Sequence, residues 1–245
     1  MANAFVFPGG RLDDEDACPA LLERLGPQTE ANTALMEGVE DETIAQAHLV
    51  AAVRETFEES GILLAVRTSG EQVTPRAEWQ DALNAGTRTF ESILTEEDLR
   101  MSTDALAYFA HWVTPTFEPR RYDARFFLAV VPEGQEGQHD GKETTESLWI
   151  TPSEALERHA AGELFVAPPQ WQVLRQLQPF ESTRDLLAWA RGLERVPPIQ
   201  PHRFSLDGAF ALALPGDPEH PDTAPGAGQG AMHRAVLRGG VWRDA

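Results

Sequence analysis

One segment of the chain has the repeat of an amphipathic helix. Within Asp41–Ser60, apolar residues recur every three or four positions, and Val50, Val53 and Phe57 fall on a single stripe. The segment starts with an aspartate, a preferred N-cap residue, and Gly61 follows it as a residue that can end a helix in the left-handed conformation. We therefore predict one helix over this segment, with its apolar stripe facing the core.

Shorter elements are predicted on both sides of this helix. Apolar and β-branched runs predict strands at Ala4–Phe7, Ile62–Val66, Leu106–Val113, Arg125–Val131 and Ser147–Ile150. Helices are predicted near 78–83 and 90–94, from Thr151 onward, and over 170–178 and 183–191. Residues 67–104 are polar apart from these short helices, and we expect them to form an excursion from the domain.

The composition changes after Val196. Prolines and glycines interleave between residues 215 and 230, which is typical of a loop or an extended tail, and two short strands are predicted beside them at 209–214 and 235–237. We therefore assign residues 1–195 to one folded domain and residues 196–245 to a Pro/Gly-rich C-terminal extension.

The chain is strongly acidic, with 39 Asp and Glu against 20 Lys and Arg and a formal net charge of −19. Such a surface disfavours binding to nucleic-acid backbones, although excess acid also simply keeps a protein in solution. No apolar run is long enough to span a membrane, and the N-terminus lacks the regions of a secretory signal. The single cysteine, Cys18, excludes an internal disulfide, so we expect a cytoplasmic protein.

Three carboxylates share the polar side of the predicted helix. Glu55, Glu58 and Glu59 stand at positions i, i+3 and i+4 on one face. Alone they would repel each other, whereas a divalent cation such as Mg²⁺ takes oxygen ligands and would hold them together. Arg54 can neutralise and orient one of them through a bidentate contact. A solvated acidic face without a ligand is the alternative interpretation.

The spacing of these residues is more specific than their charge. Arg54–Ile62 contains Arg-Glu-x-x-Glu-Glu-x-Gly, which a chain of this length matches by chance on the order of once in several thousand cases. The segment resembles the C-terminal half of the Nudix box, G-x5-E-x7-R-E-U-x-E-E-x-G-U, where U is aliphatic; Thr56 departs from that pattern. Gly10 and Asp16 fit the N-terminal half, with aspartate for glutamate. About 30 residues, at about 17–46, are inserted between the halves. The entropic cost of closing a loop rises only slowly with its length, so such an insertion need not disturb the helix.

The resemblance to the Nudix family implies a fold and a chemistry. Members have an α/β fold, an α/β/α sandwich around a mixed sheet, and hydrolyse nucleoside diphosphates linked to another group with Mg²⁺ or Mn²⁺. The cation neutralises phosphate charge and lowers the pKa of an attacking water, so an acidic chain can receive a polyanion. By the same resemblance, Glu58 and Glu59 are the principal metal ligands, Glu55 is a further ligand or helps to activate water, Arg54 orients a glutamate, and the loop of Gly9 and Gly10 shapes the metal and substrate site.

Many Nudix enzymes add an acidic residue from a loop outside the box. Glu143 and Glu146 are the candidates in this chain, and we favour Glu143 because it lies in the polar loop rather than beside the strand predicted at 147–150. It would act as a general base or as a further metal ligand. For either residue, an exposed carboxylate without a catalytic role is the alternative.

The resemblance extends beyond the box, from about residue 4 to about residue 178. It points to the branch of the family with a long insertion inside the box, to which the mammalian peroxisomal coenzyme A diphosphatase belongs. The substrate that this implies is coenzyme A or an acyl-coenzyme A, with Arg120 and Arg121 as candidate phosphate contacts; solvated surface arginines are the alternative. The matching segments are Trp112–Pro115, Arg120–Asp123, Phe126 with Phe127, Trp149–Ala155 and Ala167–Gln170.

The start of the chain and two other classes of function complete the expectations. Only seven residues precede Pro8, so we expect the sheet to lack its first N-terminal strand, with the C-terminal strands or a second subunit of a homodimer covering the edge.

ADP-ribose, NADH-type dinucleotides and nucleoside triphosphates are alternative substrates. An inactive Nudix-fold binding module and a purely structural acidic domain are alternatives of other classes.

Overall fold

The computed structural model describes residues 4–137, 147–221 and 234–245. It divides into two compact units, which we call the N-terminal unit (Pro8–Tyr108 and Phe127–Leu148) and the C-terminal unit (Met1–Phe7, Phe109–Phe126 and Trp149–Ala245). The predicted boundary at residue 195 is a different division, because residues 196–245 belong to the same unit as Trp149. In the described part of the chain, no helix combines the length and the apolar composition needed to cross a membrane.

The N-terminal unit is mostly helical. A 3-10 turn, Asp14–Ala17, precedes helices α1 (Pro19–Leu22), α2 (Thr29–Thr33) and α3 (Glu42–Ser60). Then follow strand β1 (Ala65–Arg67), helices α4 (Ala77–Asn84) and α5 (Phe90–Glu96), strand β2 (Leu99–Met101) and the start of strand β3 (Leu106–Val113). Strands β1 and β2 pair in an antiparallel ribbon. The inserted stretch of the box and the polar excursion thus both fold, and the short helices predicted at 78–83 and 90–94 are present as α4 and α5.

Helix α3 agrees with its prediction at both ends. The Asp41 carboxylate accepts a hydrogen bond from the backbone N–H of Ile44 at 3.0 Å, and Gly61 has φ 70° and donates its N–H to the Phe57 carbonyl. Val50, Val53 and Phe57 are buried, so the predicted apolar stripe faces the core. The polar face is thereby fixed on the opposite side of the helix.

Two side-chain amides form hydrogen bonds with backbone groups in the way that a neighbouring strand would. Gln135 accepts from the Leu63 N–H at 2.9 Å and donates to the Leu63 carbonyl at 3.0 Å. Asn32, which is buried in α2, accepts from the Tyr108 N–H at 2.8 Å and donates to the Leu106 carbonyl at 3.5 Å. The prediction of a strand over Ile62–Val66 was therefore partly wrong, because Leu63 is paired by a side chain and the strand begins only at Ala65.

The C-terminal unit combines three helices with two sheets. Strand β4 (Asp123–Ala129) begins two residues earlier than predicted and neighbours β3, and β5 (Pro198–Ile199) joins β3 in parallel on its other side. Helices α6 (Pro152–Ala160), α7 (Pro168–Leu177) and α8 (Thr183–Arg191) lie between them in the chain. Two predicted strands are absent from the described residues: 147–150 has no strand, and 4–7 contains only a bridge from Phe5 to Val166.

The predicted C-terminal tail contains a four-stranded antiparallel sheet. Its strands are β6 (His202–Leu206), β7 (Ala209–Ala213), β8 (Arg234–Arg238) and β9 (Val241–Asp244), in that order. Leu212, Ala235 and Trp242 from this sheet are buried in one cluster with Trp171 and Leu174 of α7. The sequence analysis predicted β7 and β8 and missed β6 and β9, so the extension is a folded part of the C-terminal unit.

A buried histidine joins α6 to this sheet. His159 Nε2 lies 2.9 Å from the backbone nitrogen of Trp242, and His159 Nδ1 lies 3.0 Å from the Leu164 carbonyl. Because the Trp242 N–H can only donate, Nε2 must accept, and the proton of the neutral ring is on Nδ1, from which it is donated to Leu164. The contacts therefore require the neutral imidazole.

We expect the C-terminal unit to lose stability as the pH falls below about 6.5. Burial lowers the pKa of His159 below the ordinary 6.5. In the unfolded chain the ring titrates near that ordinary value, so below it the unfolded chain binds the proton more readily than the native protein, and the stabilisation present above it is lost. Urea unfolding at a series of pH values measures this effect. A His159→Gln variant should have a flatter pH dependence, and identical dependences would contradict the assignment.

Candidate metal centre

The last two turns of α3 carry a compact group of charged side chains. Arg54 Nη1 donates to Glu55 Oε1 at 2.8 Å and to Glu58 Oε2 at 3.1 Å. Both carboxylates therefore accept from the same nitrogen atom. This shared donor keeps Glu55 Oε1 and Glu58 Oε2 close to each other. The structure thus brings three of the predicted site residues, Arg54, Glu55 and Glu58, into direct contact.

All five N–H groups of Arg54 have an acceptor within reach. In addition to the two glutamates, Nε and Nη2 donate to the two carboxylate oxygens of Asp16 at 2.8 Å each, and Nη2 donates to the Arg11 carbonyl at 3.0 Å. A guanidinium has five donors in a fixed plane, so this set fixes its orientation completely. Arg54 consequently ties the backbone after the glycine loop to the acidic face of α3.

Asp16 reaches Arg54 because the chain turns back before α1. The 3-10 turn Asp14–Ala17 buries Asp16 to 1% exposure, and its Oδ2 also accepts from the Asp13 N–H at 2.9 Å. The sequence analysis placed Asp16 at the family's glutamate position and gave it no firm role. Its role in the structure is to hold Arg54 by a bidentate, buried ion pair.

The glycine loop lies against the same face of α3. The Gly9 N–H donates to Glu59 Oε2 at 3.1 Å. At Gly10 there is no room for a side chain, because an added Cβ would lie 2.2 Å from Glu55 Oε1 and 2.4 Å from its Cδ. A residue with a Cβ at position 10 would therefore displace the Glu55 carboxylate; the role of both glycines in shaping the site stays a prediction.

The electrostatics of the site leave its carboxylates short of positive charge. Burial raises the pKa of Glu55, and the nearby charge of Arg54 only partly opposes this rise. Burial likewise raises the pKa of Glu58 against the same opposing charge. Burial would lower the pKa of Arg54, but its hydrogen bond and charge interaction with Asp16 raise that pKa, so Arg54 stays protonated. A further cation would stabilise the charged form of both glutamates.

A divalent cation fits the chemistry of these side chains. The donors are carboxylate oxygens alone, which Mg²⁺ and Mn²⁺ prefer, and glycine at position 10 adds no side chain beside the Glu55 carboxylate. Over residues 4–137, 147–221 and 234–245, no three carboxylate, histidine or cysteine side chains converge into a ready-made cage. Glu58 or Glu59 would therefore shift to complete the coordination, and waters and substrate oxygens would supply the remaining ligands.

The remaining candidates are two arginines of the C-terminal unit and two glutamates outside the described residues. Arg120 and Arg121 are exposed residues of the loop between β3 and β4 in the C-terminal unit. The base of that loop is closed by the Thr114 N–H, which donates to the Tyr122 carbonyl at 2.8 Å. Glu143 and Glu146 lie outside the described residues, so their role stays a prediction.

Two contacts at this centre had no counterpart in the sequence analysis. Gln80 and Asn84, both in α4, donate from their side-chain amides to the backbone carbonyl of Glu58 at 2.9 and 3.1 Å. Their only sequence signal is a spacing of four residues on a short helix, which brings side chains to one face. Such a spacing does not identify the partner.

Comparisons with other proteins place this geometry in context. The family model described as the NUDT19 Nudix domain matches residues 1–177. The Homo sapiens acyl-coenzyme A diphosphatase NUDT19 is 31% identical, over 89% of this chain and 68% of its own length. The Xenopus laevis protein of the same name is 26% identical, over 91% of this chain and 69% of its own. Among solved structures, a NUDIX hydrolase from Alicyclobacillus acidocaldarius has a TM-score of 0.64 and 29% identity, covering 76% of this chain and 81% of that one.

Proposed function

Because the chain belongs to the Nudix hydrolase family, we propose that it hydrolyses the diphosphate bond of coenzyme A or of an acyl-coenzyme A in a reaction that requires Mg²⁺ or Mn²⁺. Its α/β Nudix fold and its membership among the hydrolases were both predicted from the sequence and are confirmed. The substrate, the metal and the site residues belong to the proposal.

The observation that carries the proposal is the arrangement around Arg54. A guanidinium with all five donors engaged joins Asp16, in the turn before α1, to Glu55 and Glu58 on one face of α3. Even with Arg54 beside them, burial raises the pKa of Glu55 and of Glu58, so keeping both charged costs free energy that a further cation would offset. This cost favours a functional acidic face over a merely solvated one, and it argues against an inactive binding module.

Each side chain has a defined task in the proposed reaction. Glu58 and Glu59 would supply oxygens to the cation, and Glu55 would either supply a further oxygen or accept a proton from the attacking water. Arg54 holds Glu55 and Glu58 in orientation, and the Gly9 N–H steadies Glu59. When bound, the cation would neutralise phosphate charge and lower the pKa of water. Water adds to one phosphorus as the bridging P–O bond breaks, which gives a phosphopantetheine and an adenosine bisphosphate.

The choice of coenzyme A is supported by the relatives. The two vertebrate relatives described above carry the name acyl-coenzyme A diphosphatase, and each aligns with about nine tenths of this chain. Fold alone does not determine substrate, so ADP-ribose, NADH and nucleoside triphosphates remain the competing substrates. Arg120 and Arg121 are proposed phosphate contacts, Glu143 a proposed additional acid, and a homodimer the proposed assembly.

Chromatography of reaction products tests the proposal. The purified protein is incubated separately with coenzyme A, an acyl-coenzyme A, ADP-ribose, NADH and ATP, each with Mg²⁺, with Mn²⁺ and with EDTA. We expect the two coenzyme A compounds to give the highest kcat/KM and EDTA to abolish product formation, since the carboxylates alone cannot neutralise the diphosphate. A higher kcat/KM for another substrate would overturn the substrate class, and undiminished turnover in EDTA would overturn the metal requirement.

A further inference from the structure

The backbone of Glu58 is held from outside its own helix. Its carbonyl oxygen accepts hydrogen bonds from Gln80 Nε2 at 2.9 Å and from Asn84 Nδ2 at 3.1 Å. Gln80 and Asn84 are four residues apart on α4, so their side chains leave the same face of that helix. A single carbonyl in the last turn of α3 thus has two amide donors from a neighbouring helix.

This position is one where a helix needs donors. The last four carbonyls of a helix have no intrahelical partner, and the C-terminal end of the helix dipole is negative. In α3 that negative end also carries Glu55, Glu58 and Glu59, so helix and side chains repel each other there. The Gly61 N–H satisfies the Phe57 carbonyl, whereas the Glu58 carbonyl is satisfied by α4.

We propose that Gln80 and Asn84 are positioning residues, which hold the Glu58-Glu59 turn of α3 in the conformation that binds the divalent cation. This inference depends on the proposed function, because it concerns the same metal centre. The two amides offset the negative charge at the helix end and prevent the turn from fraying. Glu58 and Glu59 project from that turn. Their backbone therefore stays in place while the two carboxylates reorient around the ion.

The close packing of α4 against the turn supports this role. Gly61 has a positive φ of 70°, and a Cβ at Gly61 would lie 3.2 Å from Gln80 Oε1. Helix α4 is itself anchored independently of the two amides. Its Trp79 is buried at 4% exposure, and the Arg76 guanidinium carbon lies 4.4 Å from the centroid of the Trp79 ring. Removal of the amides should therefore leave α4 in its position and release only the turn of α3.

The test replaces each amide by an apolar side chain of similar size. The variants are Gln80→Met, Asn84→Leu and the double variant, and Glu78→Met, an exposed position of the same helix, is the control. Free Mn²⁺ is titrated by electron paramagnetic resonance, which measures metal affinity without turnover, and thermal unfolding is followed in metal-free buffer. We expect the double variant to bind Mn²⁺ about tenfold more weakly, within the range observed when the groups that hold metal ligands in place are changed. Each single variant should be intermediate, and the control should match the parent.

The outcomes separate this inference from the proposed function. If the parent protein binds Mn²⁺ and the single and double variants bind it equally well, Gln80 and Asn84 have only a structural role, whatever happens to their melting temperature. If the parent itself binds no Mn²⁺ and hydrolyses none of the diphosphate substrates, the proposed function fails instead. Should the double variant not fold, the two single variants decide, because each retains one of the two donors.

Discussion

Glutamine in place of Glu58 or Glu59 is expected to lower kcat by about a thousandfold, while the melting temperature in metal-free buffer stays unchanged or rises. A metal ion contributes several kcal/mol of charge stabilisation, and about 4 kcal/mol corresponds to about three powers of ten in rate. The amide oxygen of glutamine can still accept from Arg54 at position 58 and from the Gly9 N–H at position 59, so the local contacts survive. The negative charge that a cation requires is lost in both variants.

The stability measurement distinguishes a functional acid from a structural one. Burial raises the pKa of Glu58, which means that the native protein disfavours its charge, and a neutral amide relieves that penalty. Glu42→Gln, at the opposite end of the same helix, changes the net charge equally and serves as the control. Parent-like turnover in the two site variants would show that the acidic face has no catalytic role.

Removal of the Asp16 carboxylate is expected to reduce the free energy of unfolding by about 3 kcal/mol and to abolish most activity. Breaking a buried ion pair from one side costs about 3–5 kcal/mol, because the remaining charge stays buried without its partner. In an Asp16→Ala variant Arg54 keeps Glu55 and Glu58 as partners, so we expect the lower end of this range. Activity falls because Arg54, without its bidentate partner, no longer fixes the two glutamates.

The matched control for this change lies two residues away. Asp14 is exposed in the same 3-10 turn, so Asp14→Ala removes an equal charge without uncovering Arg54. Denaturation in urea, with and without Mg²⁺, measures both variants. A loss of equal size in Asp14→Ala would mean that net charge rather than the Asp16 contact is responsible, and normal turnover in a destabilised Asp16→Ala variant would remove Asp16 from the catalytic arrangement.

The helix and its charged face were predictable because the signals are local. Asp41, Gly61 and the stripe through Val53 fix where α3 begins, ends and is buried, and the spacing of Arg54 and Glu58 follows from helical geometry. The partnership of Asp16 with Arg54 was not predictable, because it depends on how an insertion of about 30 residues returns the chain to α3. That return is a tertiary property without a local pattern.

Two other kinds of element were missed for different reasons. The hairpins of the C-terminal sheet turn at Asp207-Gly208 and Gly239-Gly240, where all four residues have positive φ. Dipeptides of this type are strong hairpin signals. The prolines and glycines between residues 215 and 230 are typical of a tail, and they outweighed these signals in the prediction. For the contacts of Gln80, Asn84 and Gln135, by contrast, no sequence signal identifies the partner, because a side-chain amide can bond to any backbone group that tertiary packing brings near.

Asn32 has a consequence for how this chain could have changed over time. It belongs to the stretch that separates the two halves of the box, yet its side chain binds the backbone of β3 at Leu106 and Tyr108. A descendant that deleted the stretch would restore the ordinary spacing of the box and would at once remove this side chain from β3. Loss of the extra segment in one genetic event would therefore leave the Leu106 carbonyl and the Tyr108 N–H without the Asn32 amide, at a cost in stability.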